Sequence, residues 1–318
     1  MTTPTTQMVV TSYDDLAAVR PRTVELGDPG PGQVLVRVQA AGMNPVDYKA
    51  ARGMFGTDPQ TLPLPLGREA AGVVVAVGAE AVGPGGPLGV GDPVVVYPAQ
   101  ATFATHVLVP ASSVLPRPDT LGVEEAAGLL LVGVTAQHAL TATRVGAGDT
   151  VLIHAAAGGV GLIAVQLAVA AGARVIGTAS PSRHEELVEL GAQPVAYGEG
   201  LLERVRALAP DGVSAALDLV GSDEALDTSV ELVADRSRIA TIAGFVRGAE
   251  LGIQVLGNGP GADPGTELRT AARPDLLRRA GAGELRVAVA RSYPLGEAAA
   301  ALVELAAGHV SGKLVLLP

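Results

Sequence analysis

The segment best equipped for chemistry reads Val151-Leu152-Ile153-His154-Ala155-Ala156-Ala157-Gly158-Gly159-Val160-Gly161. A short apolar run enters a turn of small residues, and a second apolar stretch leaves it. Glycine at 158 lets the backbone approach a bulky anion, and glycine at 161 lets a helix pack closely on a strand. The amides of Gly159 and Val160 open that helix and aim N–H groups, with the helix dipole behind them, at the same point. This is the chemistry of pyrophosphate binding, and the spacing is that of G-x-G-x-x-G with Ala156 in the first glycine's place. An ordinary tight turn is the competing reading. The preceding strand, the following helix and a further strand at Arg174–Thr178 favour a dinucleotide site.

The end of that further strand bears on which dinucleotide. A site that grips a ribose 2′-hydroxyl places Asp or Glu about 20 residues after the turn. Here the chain reads Thr178-Ala179-Ser180-Pro181-Ser182-Arg183, and no acid precedes Glu185. The hydroxyls of Ser180 and Ser182 and the guanidinium of Arg183 suit a 2′-phosphate, which pairs with arginine through charge-assisted bonds. The expected cofactor is NADPH (NADP+) rather than NADH. Ser182 as a helix N-cap and Arg183 as a solvated first-turn residue fit the same sequence, and the readings are compatible.

Composition narrows the remaining classes. The chain has 318 residues, 48% hydrophobic and 17% charged, enough for two domains with substantial cores. A net charge of −10 argues against a nucleic-acid partner, which would need a basic face. With no cysteine, disulfides, thiolate nucleophiles and thiolate metal ligands are all excluded. The N-terminal residues have neither the basic nor the apolar region of a signal peptide. No run approaches the roughly 18 apolar residues of a membrane span. The cytoplasm is the expected compartment.

The elements that must position these residues fall into two styles. Strands are predicted at Gln33–Ala40, Ala70–Gly78, Val94–Tyr97 and Phe103–Val109, with frequent turns, as in a small irregular barrel. From Glu124 onward helices and strands alternate. Glu124–Arg144 reads as a helix in two pieces, Thr150–His154 as a strand, Gly159–Ala171 as a helix and Arg174–Thr178 as a strand. Helices at Arg183–Leu190 and Leu201–Ala209 and strands at Ser214–Val220 and Arg238–Ile242 continue the rhythm of a parallel doubly wound sheet. Gly257–Gly265 is a Gly/Pro-rich stretch expected to form a mobile loop. A helix at Glu297–Ala307 and a strand at Lys313–Leu317 end the chain.

With these residues in view, the chain resembles the medium-chain dehydrogenase/reductase superfamily from about Val34 to Leu317, and within it the zinc-free quinone oxidoreductase and enone reductase branch. Gly42-Met43-Asn44-Pro45-Val46-Asp47 resembles the G-x-N-P-x-D segment of quinone-oxidoreductase-like members. Gly67-Arg68-Glu69-Ala70-Ala71-Gly72-Val73 resembles the GxExxGxV segment, and Gly133-Val134-Thr135-Ala136 is similar to the stretch that approaches the nicotinamide. Asp218-Leu219-Val220-Gly221 and the ending Gly308-His309-Val310-Ser311-Gly312-Lys313 also match. The resemblance implies an α/β chain with a GroES-like β-rich substrate domain and a Rossmann domain, the active site lying between them. The expected division is 1–124, 125–262 and a C-terminal segment, 263–318, returning to the first domain.

The same resemblance implies cofactor contacts at Asn44, Thr135, Val220, Gly244, Phe245 and Lys313, beside the turn residues. Asn44 also reads as a turn residue before Pro45, and Lys313 as a charge at a strand start. Tyr48 and Lys49 join Asn44 as catalytic candidates. Many quinone reductases carry a tyrosine five residues after the asparagine, where this chain has Lys49. Lys49 is then a candidate for the nicotinamide ribose and Tyr48 for an acid. Asp47 and Glu69 are expected to tie polar backbone or Arg68. Met54 and Phe55 are expected either to wall the substrate pocket or to pack a loop.

The departures from the zinc-containing relatives matter as much. Asn44 and Arg68 stand where those enzymes have Cys and His ligands, and their second Cys falls near Val132 or Gly133. His106, His138, His154, His184 and His309 show no ligand spacing, so no metal is expected. Without zinc to stabilise an alkoxide, the site suits quinones and α,β-unsaturated carbonyls, where hydride addition leaves a delocalised anion that hydrogen-bond donors hold. The expected function is a metal-free quinone or enone reductase acting on a small molecule. An NADPH-binding accessory or sensor protein is the alternative, and alcohol dehydrogenation is disfavoured by the missing ligands. The apolar segment Leu251–Leu256 is a candidate edge strand for a homodimer, since an unpaired apolar edge is usually covered.

Overall fold

Short strands rich in Val and Ala build the first part of the chain. A computed structural model describes residues 2–308 and 310–318, so His309 lies outside the described residues. β1 (Thr3–Val10) and β2 (Val19–Leu26) form an antiparallel hairpin that the sequence pattern does not suggest. β3 (Gln33–Gly42) follows, then α1 (Pro45–Ala51), β4 (Leu64–Pro65) and β5 (Glu69–Val77). A two-rung hairpin of β6 (Val82–Gly83) and β7 (Gly86–Pro87) leads to β8 (Pro93–Val96), β9 (His106–Pro110) and β10 (Val114–Pro116). α2 (Val123–Ala127) and α3 (Leu130–Ala142) are the two pieces expected of the first long helix.

Asn44, read also as a turn residue before Pro45, is the N-cap of α1, and Pro45 fills the helix's first position, where a missing N–H costs nothing. One expectation here is corrected. The strand expected from Phe103 begins only at His106. Phe103 is instead a fully buried plug, its amide bonded to Leu66 O and its carbonyl to the Met8 amide.

The second part is a parallel sheet. β11 (Thr150–His154), α4 (Gly159–Ala170), β12 (Arg174–Thr178), α5 (His184–Glu189), β13 (Gln193–Val195), α6 (Leu201–Leu208), β14 (Ala215–Asp218), α7 (Asp223–Leu232), β15 (Ile239–Thr241), α8 (Phe245–Glu250) and β16 (Gln254–Val255) keep the predicted alternation, with β13, α7 and α8 added to the elements named from the sequence. The strands lie in the order β13-β12-β11-β14-β15-β16. Direction of winding reverses between β11 and β14, the place where doubly wound sheets hold ligands outside their carboxyl ends. β11, β12 and β14 are buried on both faces, as their unbroken Val, Ile, Leu and Ala runs require.

Several boundaries move for local reasons. Pro181 begins a short 3-10 turn through Arg183, so α5 starts at His184 and Ser182 is not its N-cap. β14 stops at Asp218, whose carboxylate turns the chain by accepting the Val220 and Gly221 amides. β16 is shorter than the expected Leu251–Leu256, because Gly252 at φ +68° still belongs to the turn leaving α8. The two ends of the Gly257–Gly265 stretch are hydrogen-bonded. Asp263 bonds through its backbone to Val255 and Gly257, and its carboxylate meets His138 Nε2 at 3.2 Å. Arg269 Nε donates to His138 Nδ1, so the ring carries its proton on Nε2 and donates it to Asp263.

α9 (Thr266–Gly281), which the sequence reading leaves out, then leads to β17 (Val289–Pro294), also unforeseen, α10 (Ala298–Ala307) and β18 (Lys313–Leu317). β18 inserts beside β3, giving the order β10-β8-β5-β3-β18-β17 with β9 on β3 as well. The chain thus divides into one compact unit of Met1–Leu131 with Pro274–Pro318 and another of Val132–Arg273. These borders fall inside α3 and α9. Among the described residues no helix is long and apolar enough to cross a membrane.

Candidate functional site

In the first unit, Asn44, Glu69 and Lys313 meet in a buried knot. Each is at most 4% exposed. Lys313 Nζ donates to Met43 O at 2.7 Å, Asn44 Oδ1 at 2.5 Å and Glu69 Oε1 at 3.0 Å. These three acceptors match the three protons of an ammonium. Asn44 Nδ2 donates to Glu69 Oε1 at 2.9 Å, and Glu69 Oε2 accepts the Leu131 amide at 2.8 Å. Glu69 therefore ties polar backbone, as expected, while its side-chain partners are Asn44 and Lys313 instead of Arg68.

Asp47 borders this knot. Its Oδ2 accepts the Asn44 amide at 2.8 Å, which fixes the start of α1. Its Oδ1 is buried and has no hydrogen-bond partner among the described residues. Burial pushes the Asp47 carboxyl up to about 7, against the lowering pull of the Asn44 amide, Lys313 and Arg68. A proton on this carboxyl near neutral pH limits the negative charge buried beside Glu69.

The other first-unit candidates are less enclosed. Tyr48 is half-buried against the core, with the Arg52 guanidinium 6.0 Å from its ring centre. Lys49 is half-buried on the same helix. Met54 and Phe55 are 62% and 65% exposed, so neither is held by loop packing.

The second unit carries the glycine turn. Gly158 caps α4, and Ala155 before it takes φ +55°. Thr178, at the end of β12, holds this conformation by accepting the Ala155 amide on Oγ1 at 3.0 Å and the Ala156 amide on its carbonyl at 2.9 Å. Those two amides are spent internally, which leaves the first amides of α4, at Gly159 and Val160, as the donors a helix start offers an anion. A Cβ on Gly161 would lie 2.3 Å from Ala155 O, so only glycine lets the helix close on the turn. A Cβ on Gly158 would meet only Ala155 O, at 3.3 Å, so its side remains open for a ligand. Ala156 fits in the first glycine's place because the facing residue on β12 is Gly177, where a Cβ would lie 2.8 Å from the Ala156 methyl.

Beyond β12, Ser180 Oγ and Ser182 Oγ lie 3.2 Å apart, and the Arg183 guanidinium has no side-chain partner among the described residues. Val220 follows β14 and is 52% exposed. Gly244 and Phe245 follow β15, at the start of α8. Thr135 is nearly buried on α3. His154, at the end of β11, is buried with Nε2 3.1 Å from Ser229 Oγ, and burial pushes it down to about 4, so it is neutral at physiological pH. No group of three or more His, Cys, Asp or Glu side chains among the described residues is placed to hold a metal.

Comparison with known proteins places this architecture. Residues 30–119 match the family described as alcohol dehydrogenase GroES-like domain, and residues 159–258 that described as zinc-binding dehydrogenase. A quinone oxidoreductase of Pseudomonas aeruginosa is 36% identical over 93% of this chain and 94% of its own. The chain belongs to the medium-chain dehydrogenase/reductase superfamily, on its quinone-oxidoreductase branch. It is an oxidoreductase. A Burkholderia 2-haloacrylate reductase is 34% identical over 93% of each chain. The Escherichia coli quinone oxidoreductase, solved in complex with NADPH, superposes with a TM-score of 0.86, 27% identical over 98% of this chain and 100% of that one.

Sequence reasoning about this medium-chain reductase missed Thr178, whose signal was a hydroxyl ending a buried parallel strand beside the glycine turn. It also missed the pairing of Lys313 with Glu69, which no local pattern reveals because 244 residues separate them.

The knot makes a quantitative expectation. Glu69→Gln strands the Lys313 ammonium beside a weak acceptor, and Lys313→Met strands the Glu69 carboxylate. Each is expected to lower unfolding free energy by about 3–5 kcal/mol, the cost of breaking one side of a buried ion pair. The double variant should lose less than the sum in urea unfolding. Additive losses would show that the two charges do not stabilise each other.

Proposed function

We propose that this chain is an NADPH-dependent, metal-free reductase that delivers hydride to a quinone or to the β-carbon of an α,β-unsaturated carbonyl compound. The observation that carries the reading is the pair of anion-binding features at the carboxyl ends of β11 and β12. These are the open glycine turn under the α4 amides, and the Ser180, Ser182 and Arg183 loop without an acid. An unpaired guanidinium there suits a 2′-phosphate, and a carboxylate would repel one. When bound, the reduced nicotinamide supplies the hydride.

The chain's own residues do the rest. Gly158, Gly159, Val160 and Gly161 bind the pyrophosphate, with Ala156 setting the turn. Val220, Gly244, Phe245 and Thr135 orient the cofactor's other half. Asn44, fully buried with both ends of its amide held by Glu69 and Lys313, acts with Lys313 by fixing the start of α1. Tyr48 and Lys49 on α1 are the further candidates to hold the oxyanion that develops on the substrate. Met54 and Phe55 offer an apolar wall. The absence of cysteine from the sequence, with Asn44 and Arg68 at the ligand positions, supports chemistry without zinc. The relatives' names, quinone oxidoreductase and 2-haloacrylate reductase, support electrophiles of this class.

Pairing of two copies through the β16 end of the sheet, where Asp263 takes up part of the strand's outer edge, belongs to the same proposal. Sedimentation at micromolar concentration is expected to show a dimer, and a clean monomer would contradict it. For the cofactor, Arg183→Ala is expected to weaken NADPH by about 1–3 kcal/mol, the value of a hydrogen bond to a charged group, and to leave NADH almost unchanged. Titration of cofactor fluorescence reads both, and equal losses would remove the assignment of Arg183 to the 2′-phosphate.

A further inference from the structure

Two buried side chains shape the loops that carry Val220, Gly244 and Phe245. Asp218 ends β14 and Thr241 ends β15, facing each other in the parallel register, and both are fully buried. Asp218 Oδ1 accepts the Val220 and Gly221 amides at 3.1 and 2.8 Å. Its Oδ2 accepts the Thr241 hydroxyl at 2.6 Å. Thr241 Oγ1 accepts the Ala243 and Gly244 amides at 3.1 and 2.9 Å. The hydroxyl thus gives its one proton to Asp218 and both lone pairs to the next loop, which exhausts its bonding capacity.

The two loops are also in contact. Gly221 has φ +81°, and a Cβ there would lie 2.9 Å from the Ala243 carbonyl carbon and the Gly244 nitrogen. Neither loop can shift without disturbing the other. β14 flanks the reversal point of the sheet on one side, and β12, with Ser180 and Arg183 beyond it, lies past β11 on the other. A dinucleotide spanning that point places its 2′-phosphate half beyond β12 and its nicotinamide half beyond β14 and β15.

We propose that Asp218 and Thr241 are positioning residues that hold Val220–Gly221 and Ala243–Phe245 in the form that receives the nicotinamide half of the cofactor. The inference rests on the dinucleotide reading of the glycine turn. Removing the clamp weakens cofactor binding without altering the preference between NADPH and NADH, because the 2′-phosphate lies on the other side of the reversal point.

Thr241→Val keeps the volume and removes the hydroxyl, and Thr241→Ser restores it. Dissociation constants for NADPH and NADH, measured by fluorescence titration beside the melting temperature, test the clamp. Thr241→Val is expected to weaken both cofactors by the same factor, roughly three- to tenfold, the range of one internal hydrogen bond. Thr241→Ser should recover most of the loss. Unchanged binding in folded Thr241→Val, a loss that serine fails to recover, or a shifted NADPH-to-NADH ratio overturns the proposal. If the valine variant does not fold, Asp218→Asn replaces it. Asparagine still offers an oxygen to the two amides but turns a donor toward Thr241, so both cofactors should again weaken equally, and unchanged affinity overturns the proposal. Gly158→Val is titrated alongside. Wild-type binding in that folded variant would remove the dinucleotide reading itself. Binding lost in Gly158→Val but intact in Thr241→Val would remove only the clamp.

Discussion

A buried ammonium is stable only where acceptors surround it, since taking an ion out of water costs several kcal/mol. Lys313 is 4% exposed and imposes that condition on the first unit. Its acceptors come from the segment after β3 and from the first residue of β5, while Lys313 itself opens β18. Satisfying one charge therefore requires three strands to meet in a single register, with Gly42 opposite both Glu69 and Val315. A slip by one residue would turn Glu69 to the other face of the sheet. Asn44 inherits its rigidity from this arrangement, because Lys313 and Glu69 fix the two ends of its amide. The return of the chain after α9 is thus a chemical necessity for the site as well as a topological feature.

The second unit solves a related problem with uncharged donors. Chain leaving a parallel strand must turn sharply at its carboxyl end, and the freed amides need acceptors. Thr178 receives them after β11, Asp218 after β14, and Thr241 after β15. Thr178, by taking the Ala155 and Ala156 amides, leaves the first amides of α4 for a ligand, which is the property an anion site needs. Local packing decides the details of the turn. The Ala156 methyl is accommodated because β12 carries Gly177 opposite it, so a departure from the glycine fingerprint at one position is absorbed at another.

Features written in adjacent residues were legible in the sequence. Thr150–His154, Arg174–Thr178 and Lys313–Leu317 are strands at the predicted limits because each is a short apolar run closed by a polar or turn residue. The glycine turn was legible because its function lies in its backbone. The hairpin of β1 and β2 was not, since Pro21 and the charged residues of β2 obscure any alternation, and its stability comes from pairing with β1. α9 carries Pro274 and many charges and lacks a clear apolar face. The links among Asn44, Glu69 and Lys313, like those between Asp218 and Thr241, connect distant parts of the chain. One sequence shows each residue but not its partner.

The central claim is that this chain transfers hydride directly from NADPH to an electrophilic substrate without a metal. It is tested most directly by following label from NADPH deuterated at the transferring C4 position, in the presence of a strong chelator, with a quinone or enone as acceptor. The account predicts turnover undiminished by the chelator, and with an enone it predicts deuterium on the β-carbon of the product. Activity abolished by the chelator, or deuterium recovered in solvent and not on that carbon, would contradict it.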